Sequence, residues 1–192
     1  MNQTLDLLQH RVTSPEPGVA ESLNGAVITA LNEEAVVSAV LANKQGINLA
    51  VSYEAFAVKM LGAMRQEVIF ARHALETGRQ VNWLSVPVIA SSHTWENGKN
   101  EISHQDPTLG EAWLGEMSDM APVLFPCDAN TLVTTMAALY GQRGRVAVVV
   151  APKNPVTSVT SLPQAQRCAR DGALVLSHDD GADIQLLAVG AY

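Results

Sequence analysis

The amino-acid sequence predicts an α/β fold, a three-layer sandwich in which helices flank a mainly parallel sheet. Strand-like and helix-like segments are interspersed along the 192 residues, an order typical of parallel sheets. Several strand candidates, such as Val146 to Val150, are continuous apolar runs rather than alternating ones. Such runs belong to strands that helices cover on both faces. A content of 47% hydrophobic residues is enough for one sizeable core in a chain of this length.

The chain divides into residues 1–17, an N-terminal arm with a loop rich in turn formers, and residues 18–192, a single domain. The arm resembles neither a signal peptide nor a transit peptide, and no apolar run approaches the length of a membrane span. The two cysteines, Cys127 and Cys168, lie far apart, which argues against a disulfide framework and a structural zinc site. We therefore expect a cytoplasmic protein.

The formal net charge of -7 and the pI near 5.1 indicate repulsion from phosphate backbones and anionic lipids. No run of lysines or arginines offsets this charge. Nucleic acid and membrane surfaces are therefore not expected partners.

The first two helices and the strand between them are predicted from apolar residues at helical spacing and from residues that end helices. A helix begins at Asn32, and the segment Asn43 to Gly46 stops it. Ile47 to Val51 follow as a short strand. A long helix with one apolar side then runs from Glu54 to about Glu76, and Thr77-Gly78 closes it.

The remaining elements continue the same alternation. Further strands are predicted at Trp83 to Ile89, Val123 to Phe125, Val146 to Val150, Leu174 to Leu176 and Ile184 to Val189. Further helices are predicted near Leu109 to Met117, Asn130 to Tyr140 and Pro163 to Asp171. Ligands of parallel α/β sheets bind beyond the carboxyl ends of the strands, so the strand-to-helix junctions are the places to look for chemistry.

Two junctions carry unusual residues. In Ser52-Tyr53-Glu54-Ala55-Phe56 an acid stands where a strand ends and a helix begins, and the simplest alternative is a solvated acid favoured by the helix dipole. The second is the long polar loop Ser91 to Pro107, which contains His93 and His104. Long loops of this kind are usually functional or disordered. Each histidine taken alone is better explained as a structural hydrogen-bonding group than as a functional residue, and the spacing of the two matches no familiar metal site.

Four short segments closely resemble the central domain of phosphoketolases, in the same order and at nearly the same separations. They are Ser52-Tyr53-Glu54-Ala55-Phe56, Ser92-His93-Thr94-Trp95, Asn100 with Ser103-His104-Gln105-Asp106-Pro107, and Asp128-Ala129-Asn130-Thr131. The resemblance covers roughly residues 12 to 190. It implies the pyrimidine-binding domain of a thiamine-diphosphate-dependent lyase or transferase.

The resemblance also implies roles for individual residues. It places Glu54 against N1′ of the cofactor's aminopyrimidine ring, where a shared proton activates the cofactor. His104 corresponds to a catalytic histidine that transfers protons near the reacting carbons. Tyr53 and His93 correspond to the cofactor site.

On the substrate side, the resemblance assigns Asn100, Lys99 and Lys153. Lys153 corresponds to a lysine that contacts a phosphate, although an ordinary solvated loop lysine is the simpler explanation. Lys99 departs from the family, which usually has a histidine there.

Other substrate positions also differ from the family. Glu101-Ile102 replaces a Gly-Phe pair, and Ala20-Glu21-Ser22 replaces a Ser-Asn-Arg run whose arginine pairs with a substrate phosphate. Loss of that guanidinium disfavours a phosphorylated sugar in this position. The sequence therefore leaves two alternatives: the enzyme uses a different donor, or it uses an acceptor other than inorganic phosphate.

The sequence contains no Gly-Asp-Gly motif, the motif with which enzymes of this class bind the diphosphate and its Mg²⁺ or Ca²⁺. Asp128 and Asn130 are better interpreted as turn and helix-start residues, so no metal ligand is assigned. The chain is either a natural separate subunit or an excised domain. We expect it to pair with a diphosphate-binding subunit or domain that contains Gly-Asp-Gly, and we expect an oligomer.

Three hypotheses remain open. The first is a subunit of a split phosphoketolase- or transketolase-like enzyme that acts on a small ketose-like donor. The second is a subunit of a 2-oxoacid decarboxylase or dehydrogenase with a keto-acid donor. The third is a non-catalytic scaffold that kept the fold.

Overall fold

The computed structural model describes residues 9–91, 106–152, 154–178 and 180–190. The strands are β1 His10–Arg11, β2 Glu21–Ser22, β3 Ala50–Tyr53, β4 Val86–Ser91, β5 Val123–Leu124 and β6 Val146–Ala151. The helices are α1 Glu33–Ala42, α2 Glu54–Ala57, α3 Leu61–Glu76, α4 Thr108–Leu114, α5 Ala129–Tyr140 and α6 Leu162–Asp171. A 3₁₀ turn, Val58–Met60, connects α2 to α3.

The main sheet has four strands in the order β3-β4-β6-β5, and every neighbouring pair is parallel. β1 and β2 form a separate two-stranded parallel sheet in the N-terminal region. The parallel main sheet with flanking helices confirms the predicted α/β fold class.

Helices cover both faces of the main sheet. One set of alternate residues on β4 and β6 joins side chains of α1, α3 and α4 in one core cluster, which includes Val37, Met64, Val68, Val88, Leu109, Trp113 and Val148. The indole nitrogen of Trp113 donates a hydrogen bond to the carbonyl of Val146 at 3.2 Å. The alternate residues Ala147 and Val149 point to the opposite face and are also fully buried. α5 contacts β4 and packs against α6, forming the third layer.

Side chains define several helix ends. Asn32 caps α1, because its Oδ1 accepts a hydrogen bond from the amide of Ala35 at 2.9 Å. α6 begins with a capping box between Ser161 and Gln164 and ends at Gly172, whose φ is 81°. Among the described residues, no helix combines the length and apolar character that a membrane crossing requires.

The predicted strand Ile47 to Val51 lies about three residues later, at β3. Ile47 and Leu49 are 74% and 43% exposed, and pairing with β4 begins only where Ala50 lies opposite Val88. The predicted helix from Glu54 to Glu76 ends as expected, but α2, the 3₁₀ turn and α3 divide it.

The two strands predicted near the carboxyl terminus are wrong. Neither Leu174 to Leu176 nor Ile184 to Val189 forms a strand. Leu176 is 78% exposed and Leu186 is 91% exposed. An apolar run becomes a strand only beside another strand that satisfies its backbone hydrogen bonds, and this segment has no such neighbour among the described residues.

A candidate active site at the carboxyl edge of the sheet

The last residues of three adjacent strands form one row across the sheet. Tyr53 of β3 is paired with Ser91 of β4, and Ser91 is paired with Ala151 of β6. The hydroxyl of Ser91 also donates to the carbonyl of Ser52 at 3.3 Å. Because neighbouring strands lie about 4.8 Å apart, the row spans about 10 Å. This carboxyl edge is where the sheet positions the residues that follow each strand.

Glu54 directly follows the row on β3 and is the first residue of α2. It is only 6% exposed, so its carboxylate is buried rather than solvated. α4 passes close to it, because a methyl group built on Gly110 would lie 3.9 Å from Glu54 Oε1. The site therefore contains a buried carboxylate held between a strand end and a helix from a distant part of the chain.

Two aromatic residues, Tyr53 and Phe56, flank Glu54 in the chain and form an aromatic surface. The rings of Tyr53 and Phe56 have centroids 6.2 Å apart and planes inclined at 52°. Lys59 Nζ lies 5.5 Å from the Phe56 ring centroid and 3.6 Å from Glu33 Oε2, which connects this surface to α1. Tyr53 is 42% exposed. A buried acid whose neighbour in the chain is an accessible aromatic residue suits a planar heteroaromatic ligand with a protonatable nitrogen.

The other five predicted site residues all lie outside the described residues. His93, Lys99, Asn100 and His104 belong to segment 92–105, and Lys153 is likewise outside the described ranges. The structure therefore places two predicted site residues, Tyr53 and Glu54.

The described chain resumes at Asp106, which shapes the start of α4. Its Oδ1 accepts a hydrogen bond from the amide of Thr108 at 2.9 Å and a second bond from the Thr108 hydroxyl. Together with Ser91, Asp106 marks where the long polar loop joins the described structure.

Asp128 caps α5, which confirms its interpretation as a helix-start residue. Its Oδ1 accepts hydrogen bonds of 2.8 Å from both the amide and the hydroxyl of Thr131. The residue is only 3% exposed. Burial alone raises the pKa of a carboxyl group, but the hydrogen bonds from Thr131 and Thr160 outweigh it and hold the Asp128 pKa well below its usual range. The buried side chain is therefore a carboxylate anion.

Comparison with known proteins gives a consistent result. The family model described as D-xylulose 5-phosphate/D-fructose 6-phosphate phosphoketolase matches residues 1–141. A probable phosphoketolase of Mesorhizobium japonicum is 34% identical over 140 residues, which cover 68% of this chain and 17% of that protein. A probable phosphoketolase of Nocardia farcinica is 33% identical over 166 residues, covering 81% of this chain and 19% of that protein. The chain thus matches less than a fifth of the length of these relatives.

Proposed function

The chain belongs to the phosphoketolase family, and from that premise we propose that it is the pyrimidine-binding part of a thiamine-diphosphate-dependent enzyme. The reaction transfers a two-carbon or acyl unit from a ketose-like donor. The observation that carries the proposal is the buried carboxylate of Glu54 beside accessible Tyr53, at the edge of the sheet where ligands of parallel α/β folds bind.

The residues around Glu54 suit the aminopyrimidine ring of the cofactor. When bound, thiamine diphosphate supplies the nucleophilic carbon for attack on the donor carbonyl. Glu54 holds N1′ of the ring by sharing a proton with it, and a buried carboxylate does this well because water does not compete for the proton. Tyr53 offers an aromatic surface to the same ring, and we assign His93 to the cofactor site as well.

The remaining roles belong to segments that continue from β4 and β6 beyond the row of Tyr53, Ser91 and Ala151. We assign His104 to proton transfer near the reacting carbons. Asn100, Lys99 and Lys153 are assigned to the substrate. Lys153 comes two residues after the end of β6, and the other three residues belong to the segment that follows β4. Because both strands end at the edge that carries Glu54, these places in the sequence support a shared site.

A diphosphate-binding subunit or domain with a Gly-Asp-Gly motif is needed to hold the diphosphate and its Mg²⁺ or Ca²⁺. Within the described residues, no group of three or more histidine, cysteine or acidic side chains could hold a metal ion. The segment after α6 exposes several large apolar residues: Val175, Leu176, Ile184, Leu186 and Leu187. Exposed apolar side chains of this extent favour association with another polypeptide.

Calorimetric titration of thiamine diphosphate with Mg²⁺ tests the proposal. The cofactor is titrated into this chain alone, into a Gly-Asp-Gly-containing subunit alone, and into their mixture. We expect heat of binding that appears only in the mixture and is lost in a Glu54→Ala variant. Glu76→Ala, which changes an exposed acid at the end of α3 in the same way, is the matched control and should bind as the wild type does.

The other outcomes separate the alternatives. Binding by the Glu54→Ala mixture with unchanged affinity would remove Glu54 from the site. Absence of binding in the wild-type mixture would favour a non-catalytic scaffold. Turnover of a 2-oxoacid but of no ketose would identify a decarboxylase- or dehydrogenase-type subunit instead.

A further inference from the structure

We propose that Asp128 is a positioning residue for this active site. It fixes the loop between β6 and α6 against the start of α5, at the carboxyl edge of the sheet. We define the β6–α6 loop here by its described residues 154–161. The inference rests on the proposed function, because it assigns this loop to the substrate side of the same site.

The second carboxylate oxygen of Asp128 is committed to the loop. Asp128 Oδ2 accepts hydrogen bonds from the amide of Val159 at 2.9 Å, the amide of Thr160 at 2.8 Å and the hydroxyl of Thr160 at 2.8 Å. Its other oxygen caps α5 through Thr131. One buried anion therefore joins a helix start to a loop about thirty residues further along the chain, and hydrogen bonds to a charged acceptor are the strong ones.

Two neighbouring side chains of α5 extend this connection. Asn130 Nδ2 donates to the carbonyl of Thr160 at 2.6 Å, and the Thr134 hydroxyl lies 3.2 Å from the carbonyl of Ala165 in α6. Thr160 itself is only 6% exposed. The far end of the loop is thus held through both its amides and a carbonyl, and Asp128 makes most of these bonds.

The loop also begins at the candidate active site. β6 ends at Ala151, which is paired with Ser91 in the same row that ends with Tyr53. No helix or strand forms within residues 154–161, so the path of the loop depends on where its far end is anchored. Because Asp128 provides that anchor, it sets the position of a segment that starts two strands away from Glu54.

Asp128→Asn keeps the shape of the side chain but replaces one acceptor oxygen with an NH2 group, which donates hydrogen bonds and does not accept them. The α5 cap and the three loop hydrogen bonds then compete for a single acceptor oxygen. Thr160→Val removes the hydroxyl donor and keeps both amide donors. Ser161→Ala is the matched control, since it removes the 2.7 Å bond to Gln164 Oε1 in the α6 cap and leaves the Asp128 contacts intact.

Hydrogen–deuterium exchange on the full chain measures the anchor directly. We expect the amides of Val159 and Thr160 to exchange about tenfold faster in Asp128→Asn than in the wild type, with a smaller increase in Thr160→Val. In Ser161→Ala the increase should be confined to the first turn of α6. Unchanged exchange of the loop in Asp128→Asn would overturn the proposal.

Steady-state kinetics of the assembled enzyme tests the link to substrate. We expect Asp128→Asn to raise KM for the donor about tenfold, while kcat and the affinity for thiamine diphosphate change less than twofold. A KM no different from that of Ser161→Ala would overturn the positioning role. If the wild-type assembly turns over no donor, the proposed function fails, and the positioning role falls with it even if the exchange result shows that Asp128 holds the loop.

Discussion

Glu54 is an acid buried at the start of a helix, an arrangement that is costly unless polar groups or a ligand compensate the carboxylate. The helix start itself contributes, because the first amides of a helix favour a nearby negative charge. Its other neighbour, α4, comes more than fifty residues later in the chain. The position of the acid at a junction was predictable from Ser52 to Phe56, whereas its burial was not, because burial depends on that distant helix.

Glu54→Gln should separate cofactor activation from folding. The amide keeps the size of the side chain but cannot share the N1′ proton as a carboxylate does, so we expect exchange of the cofactor's C2 proton to slow at least a hundredfold. Nuclear magnetic resonance of thiamine diphosphate in the assembled enzyme measures this exchange. The free energy of unfolding should change by less than about 1 kcal/mol. Wild-type C2 exchange in this variant would refute the assignment of Glu54.

The lowered pKa of Asp128 implies a specific dependence of the free energy of unfolding on pH. Its folded-state pKa lies below the unfolded value of about 3.9, so its contribution is fully present above that value and is lost as the pH falls through the folded pKa. At pH 7 we expect Asp128→Asn to lower the free energy of unfolding by about 3 kcal/mol.

Urea unfolding of wild type and Asp128→Asn between pH 7 and pH 2 tests this dependence. The difference between the two proteins should stay constant from pH 7 to pH 5 and shrink below about pH 4. Other carboxylates titrate alike in both proteins and cancel. A difference that grows as the pH falls would contradict an ionised Asp128.

The helix-capping role of Asp128 followed from its place before an apolar, helix-forming stretch. Its contacts with Val159 and Thr160 did not. They join residues 31 and 32 positions apart, and no local pattern records which distant amides meet a given carboxylate. These contacts could be predicted only by knowing that α5 packs against α6, because that packing brings the start of α5 next to the loop before α6.

At the scale of the elements, two apolar runs of similar character have different fates. The run from Val146 becomes β6, because it lies between β4 and β5, and both neighbours pair with its backbone amides and carbonyls. The run from Leu174 to Leu176 has no neighbouring strand in the part of the chain that the structure describes, and it is irregular. Hydrophobicity predicts that a segment suits a buried strand, but a strand forms only where the topology provides a partner.

Two glycines, one just before β6 and one just after α6, allow a pair of predictions that can be compared directly. Gly144 and Gly172 have φ values of 73° and 81°. A methyl group on Gly144 would lie 2.6 Å from Val81 Cγ1, whereas one on Gly172 would meet nothing within 4 Å.

Both alanine variants force a side chain into the left-handed region, which costs about 1 kcal/mol. Gly144→Ala also overlaps Val81, so we expect a total loss of about 2–3 kcal/mol in the free energy of unfolding. Chemical denaturation of the two variants measures the difference. Equal losses would show that Val81 moves aside without cost.

At the scale of the whole molecule, the segment after α6 contributes apolar surface rather than core. Leu186 and Leu187 are 91% and 82% exposed. A chain ending at Gly172 should therefore keep its free energy of unfolding within about 1 kcal/mol of the full chain. It should also self-associate less, because large exposed apolar patches drive aggregation.

Urea unfolding and light scattering of the shortened chain test both statements. A Leu186→Ser, Leu187→Ser double variant keeps the chain length and removes much of the apolar surface, so it separates the two effects. Loss of folding in the shortened chain would show that the segment packs against the domain.

The strand order also determines when the domain is able to assemble during synthesis. β6 lies between β4 and β5 in the sheet but follows both along the chain. At about 5–20 residues per second, the ribosome takes several seconds to progress from β4 to β6. During that time β4 has an unpaired inner edge and β5 has no partner. The nascent domain is therefore most exposed to aggregation and most dependent on chaperones until its central strand emerges.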